Sequence, residues 1–177
     1  MKKLSTRDIA MYGMLIALNV ILTRYASIRI GGDGTEAVRI GFGGYPVIFA
    51  GIVFGPLAGG IIGAVGDLIG MMVSPMGAFM PHFTLVAALT GIIPGLAMLV
   101  FRDPKAKTNF AKLLFAIALG QIITSVFMTP YFMQKLFSIP MAVKVPERAI
   151  VQAFQIPLYA YITKIILQRL PLVWEAN

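Results

Sequence analysis

The chain has 177 residues, of which 58% are hydrophobic and 12% charged, with a formal net charge of +8 and no cysteine. A soluble domain carries about twice that charged fraction, so the composition excludes a water-soluble enzyme and points to an integral membrane protein. The missing thiols exclude a disulfide framework and any cysteine-based metal or redox site, and in so apolar a chain the positive charge reflects membrane topology and an anionic ligand rather than nucleic acid.

Behind a basic start at residues 1–8, the first apolar run covers about 9–25. It has no small-residue cleavage site and reads as a retained span. Gly13 and Ala17 on it form a small-x-x-x-small pair, the spacing that lets a second helix approach closely. Asn19 and Arg24 are polar groups that need partners at that depth. Residues 27–39, SIRIGGDGTEAVR, read as a flexible glycine-rich loop outside the hydrocarbon.

The stretch 39–70 holds ten of the eighteen glycines and, beyond Arg39, a single charge, Asp67. As one helix, residues 40–73 would reach about 50 Å, too long for a hydrocarbon core of about 30 Å. Gly55-Pro56 supplies the break, because proline is tolerated in the first turn of a new helix. A tight hairpin with spans at about 42–54 and 57–73 follows. Gly51, Gly55, Gly59 and Gly63 recur every fourth residue, as close helix packing requires. Asp67 is a carboxylate inside a span, which needs a cation or a polar cavity.

Residues 74–77, Ser-Pro-Met-Gly, read as a turn. The fourth span is 81–101, with Pro94-Gly95 a kink within it, and 102–109 is a basic loop. The fifth span, 110–132, contains Gln121 and Pro130. Residues 134–148 read as a proline-punctuated connection with an interfacial segment, followed by the sixth span at 149–167 and a short tail. The expected architecture is a single all-α membrane domain over 1–177. It is a compact bundle of six transmembrane helices with a glycine-rich outer loop between helices 1 and 2.

Six spans put both termini on one side. Nine of the fifteen Lys and Arg residues fall on the terminal side and six opposite, which places the termini in the cytoplasm. Six outer cations are more than topology alone favours. They sit in company: Arg24, Arg29 and Arg39 around the first loop; Phe79, His82, Phe83 and Thr84 at the start of the fourth span; Tyr131, Phe132 and Lys135 at the end of the fifth; Arg148, Gln152 and Gln155 at the start of the sixth. With Asp67 and with Tyr45 of the hairpin, these outline an outward-facing pocket with aromatic walls. Arginine forks suit carboxylates, and glutamine amides suit the edge of a heterocycle. Aromatics at this level also form the ordinary interfacial belt. The chain carries no GxxxxGK[ST] loop and no HExxH, and only Asp67 and His82 could form a catalytic pair, so an intramembrane enzyme is the weaker reading. No metal or cofactor is expected.

Three stretches carry a family resemblance: RIGFGGYPVIFAGIVFGPLAGGIIGAVGDLIG at 39–70, PMGAFMPHFTLVAALTGIIPG at 75–95 and VPERAIVQAF at 145–154. The sequence resembles an S component, the substrate-binding membrane subunit of energy-coupling factor (ECF) vitamin transporters, and most closely the folate-type group. The resemblance implies a protein of the cell membrane that binds its vitamin from outside, beneath the loop between the first two spans. It implies as partners a membrane coupling subunit and two cytoplasmic ATPases, with the vitamin released inside after the subunit topples. Gly13-x-x-x-Ala17 stands at the place of the family's Ala-x-x-x-Ala motif, which contacts the coupling subunit. His82 stands where folate-type sequences usually carry glycine. Folate, with a flat pterin and two carboxylates, is the substrate expected, and pantothenate or another small vitamin precursor is the alternative.

Overall fold

A computed structural model describes residues 5–30, 38–74, 79–101 and 109–169. The expected turn at 74–77, the basic loop at 102–109 and the tail fall largely or wholly outside these residues. Among them the chain forms α1 (Thr6–Arg24), β1 (Ser27–Ile30), β2 (Val38–Gly41), α2 (Gly44–Phe54), α3 (Pro56–Val73), α4 (Pro81–Val100), α5 (Phe110–Gln121), a π-helical segment (Ile122–Met128), α6 (Thr129–Phe137) and α7 (Met141–Arg169). The α5–π–α6 series is one continuous rod, so six rods make the bundle, and five of them are long and apolar enough to cross a membrane. Large apolar side chains stand on the outside, among them Met14, Leu57, Met72, Val100 and Phe154, as a lipid-facing surface requires.

α1 begins where the Asp8 carboxylate accepts from the Ser5 backbone N–H at 3.0 Å. α3 begins at Pro56, directly after Gly55, whose φ of 98° is a conformation other residues rarely adopt. The expected helix break is therefore where the Gly-Pro pair places it. Two expectations are corrected. Residues 27–30 and 38–41 are not loop but an antiparallel pair, in register Ser27↔Gly41, Ile28↔Ile40, Arg29↔Arg39 and Ile30↔Val38. Their alternating apolar and polar residues are a strand pattern that the neighbouring glycines obscured. The connection read over 134–148 shrinks to residues 138–140, between α6 and α7. Its prolines lie immediately before α7 and in that helix's second turn, where a proline removes only one ladder bond.

α2 is short. Its 11 residues cover about 17 Å, half of what a membrane crossing needs. It is also central, with Ile48 and Ile52 packed against Met98 of α4, Leu113 and Ile117 of α5, and Tyr159 of α7. α2, α3 and α4 meet backbone to backbone through glycine. A methyl group at Gly59 would lie 2.7 Å from Cα of Gly51, and one at Gly91 2.7 Å from Cα of Gly59. The half-length helix leaves a space above its N-terminus, and the hairpin β1–β2 stands at that end of the bundle.

Candidate ligand-binding site

That space is a cavity of about 690 Å³, within the range of small-molecule sites. Every rod contributes to its wall. α1 supplies Asn19, Thr23 and Arg24, and the foot of α2 supplies Gly43, Gly44 and Val47. α3 supplies Gly63, Gly66, Asp67 and Met71; Phe79, Phe83, Val86 and Thr90 come from α4 and the residues before it. Gln121, Ser125, Thr129, Met133 and Phe137 run down the fifth rod, and Arg148, Gln152, Gln155 and Tyr159 down α7.

Glycine makes the polar wall possible. A methyl group at Gly70 would come within 2.8 Å of Nε of Arg24, and one at Gly66 would collide with the Asn19 amide. The α3 glycines are thus notches in which the polar side chains of α1 lie. Asn19 uses its position to donate from Nδ2 to the Gly43 carbonyl at 2.6 Å, which ties α1 to the start of α2. Gln155 Nε2 and the Tyr159 hydroxyl both donate to the Gly41 carbonyl, at 2.9 and 3.3 Å, and hold the foot of β2 against α7. Asp67 accepts from the Thr84 hydroxyl at 2.7 Å.

Several polar atoms are left over. Nε of Arg24, Nε of Arg148 and Oε1 of Gln152 are buried without a hydrogen-bond partner, and all three residues line this one cavity. Buried polar groups are almost always paired, and an unpaired one costs about 1–3 kcal/mol, more when charged. Two guanidinium groups and an amide oxygen on one cavity wall suit a guest that carries anionic oxygens and a donor.

Of the residues singled out from sequence, Arg24, Asp67, Phe79, Phe83, Arg148, Gln152 and Gln155 meet at the cavity. Six others, Phe132 among them, do not line it. Thr84 acts through Asp67. Tyr45 lies in the core, its ring 5.4 Å from that of Tyr159. His82 is exposed and packs on Phe132 at 5.0 Å. Tyr131 is exposed, with Lys135 Nζ 5.2 Å from its ring centre. The reason is azimuth: an end-of-span position fixes depth, while the side of the helix that faces the cavity depends on packing. Arg29 and Arg39 stand opposite each other in the hairpin backbone, and their side chains lie outside the described part of the molecule. With Asp67 on the cavity wall and His82 outside it, the pair an intramembrane enzyme would need is not assembled. The sequence reading passed over Thr23, Thr90, Ser125, Thr129 and Tyr159. Small hydroxyls in apolar spans usually bond their own helix, so no sequence signal marked them.

The family model for ECF-type riboflavin transporter S components matches residues 3–170. The chain belongs to that family. It is a membrane transport subunit. Among curated proteins this S component is similar to the folate transporter FolT of Clostridium novyi, with 34% identity over 84% of this chain and 80% of the relative. It is also similar to the folate transporter FolT of Leuconostoc mesenteroides, with 29% identity over 70% of this chain and 62% of the relative. Among solved structures, a crystal structure of FolT bound with folic acid matches it with a TM-score of 0.74 and 28% identity, over 94% of this chain and 97% of the other.

Proposed function

We propose that this S component binds folate from outside the cell and serves its uptake through an ECF importer. The observation that carries the reading is the cavity whose buried polar atoms without partners are two arginine Nε atoms and one glutamine Oε1. Folate presents two carboxylates to the arginines, and a pterin amino group to an amide or carboxylate acceptor such as Gln152 or Asp67. Phe79, Phe83 and Phe137 supply apolar surface for its flat rings. The two curated relatives and the structural neighbour, all folate proteins by name, agree with this ligand. Riboflavin is uncharged and offers the two arginines neutral acceptors but no carboxylate. Pantothenate has one carboxylate and would leave much of about 690 Å³ unfilled.

The partners in this reading are a membrane coupling subunit, which meets α1 around Gly13 and Ala17, and two cytoplasmic ATPases. The charge bias of the sequence, nine of fifteen Lys and Arg on the terminal side, supports cytoplasmic termini and a cavity that opens outward. Mass spectrometry of what co-purifies with the protein, followed by titration with folic acid, riboflavin and pantothenate, tests the substrate. Folate should co-purify and bind tightest. Tight pantothenate or riboflavin binding without folate binding would refute the assignment.

A further inference from the structure

The π-helical segment Ile122–Met128 interrupts the fifth rod beside the cavity. Its i→i+5 ladder winds less per residue than an α-helix. Gln121, Ser125 and Thr129, each four apart, all reach the cavity wall. Hydroxyls in and after the segment tie off its irregular backbone: Thr124 donates to the Gly120 carbonyl and Thr129 to that of Thr124, each at 2.8 Å. Ser125 does something different. Its hydroxyl donates to Oε1 of Gln121 at 2.6 Å, which occupies the carbonyl end of that buried amide.

The amide's other end is placed for a guest. Nε2 of Gln121 lies 3.6 Å from where a methyl group at Gly44 would stand, so the NH2 sits beside the first residue of α2. That helix starts without a side-chain cap, and the positive end of its dipole is directed to the same spot. Gln121 is deep. About two turns of the fifth rod separate it from Thr129, whereas Arg24 is the last residue of α1 at the cavity's mouth.

We infer that Gln121 selects the ring of the ligand. Its NH2, beside the N-terminus of α2, donates to the acceptor atoms on one edge of a flat heterocycle, a carbonyl oxygen or a ring nitrogen, held at the cavity floor. Arg24 and Arg148 take the carboxylates nearer the mouth. Ser125 is a positioning residue that fixes which end of the amide faces the guest. This rests on the folate reading and adds an orientation to it, ring inward and tail outward. A site built around a buried donor rejects a guest that leaves the donor unpaired.

Three ligands separate the two ends: folic acid, 6-hydroxymethylpterin (ring alone) and p-aminobenzoylglutamate (tail alone). Gln121→Leu should weaken the two ring-bearing ligands about tenfold, the size of one hydrogen bond, and leave the tail unchanged. Arg148→Gln should weaken folic acid and the tail and spare the ring. Ser125→Ala should cost the ring-bearing ligands about threefold, with Ser125→Thr restoring them. Equal loss of all three ligands in Gln121→Leu, or no loss of the ring-bearing ones, overturns the inference. If Gln121→Leu does not fold, Gln121→Met keeps the length and removes the donor, and unchanged ring binding there overturns it too. A wild-type protein that binds none of the three refutes the folate reading and this inference with it. Folic acid binding that is indifferent to Gln121 refutes the inference alone.

Discussion

A polar or charged side chain in an apolar span is expensive, and that expense made part of this site visible in the sequence. Arg24, Asp67, Arg148 and Gln152 each stood out as polar groups without an obvious partner, and each lines the cavity. Arg148 offers the plainest test. Its Nε is buried without a partner at the cavity wall, so a ligand carboxylate bound there would gain a charge-assisted bond. Arg148→Gln should weaken folic acid binding by about 1.5–3 kcal/mol, roughly ten- to hundredfold, as read by calorimetric titration. An unchanged affinity would move the anion site to another arginine. Aromatic and histidine positions were less legible. Phe79 and Phe83 face the cavity while His82, between them in sequence, stacks outside it on Phe132. A ring at the membrane interface has the same sequence signature whether it faces lipid or ligand.

Among the elements, the glycine row was readable as packing at three of its four positions, Gly55 serving the helix break instead, and the irregular backbone was not. Gly51, Gly59 and Gly63 have no other use in a span than close approach, and they pack α2 and α3 against each other and against Gly91 and Ala87 of α4. The π-helical segment has no composition of its own, and the hairpin strands are four residues each. The first is fixed by tertiary contacts that a local pattern does not contain, and the alternation of the second is too short to stand out beside its glycines. The crossing predicts a sharp cost. Gly59→Val would force side-chain atoms into the backbones of Gly51 and Gly91, which cannot yield as a flexible side chain could. Overpacking of this kind costs about 1–3 kcal/mol or more. The variant should melt several degrees below the wild type in detergent, by thermal denaturation followed with intrinsic fluorescence. An unaltered midpoint would mean that α3 can slide away from α2 at little cost. Gly13→Val, in open space, is the matched control.

For the molecule as a whole, the six rods are unequally buried. About 11% of the α1 span is buried inside the bundle, against 33–39% for the other long spans. α1 holds the cavity through Asn19 and Arg24 near its C-terminal end, while before them it presents Gly13, Met14, Ala17 and Leu18 outward. One helix thus serves two surfaces, ligand at one end and an open face at the other. A methyl group at Gly13 would meet nothing within 4 Å, so a larger side chain there disturbs no internal contact. Leucine is also the better helix former. Gly13→Leu should therefore fold, hold folic acid with wild-type affinity, and yet fail to support folate uptake in cells that supply the coupling subunit and ATPases, because the added bulk stands between two helices that must approach closely. Binding measured on purified protein and uptake measured in cells divide the two surfaces. Loss of both together would mean that the α1 face is structural. Retention of both would place the coupling contact on another rod.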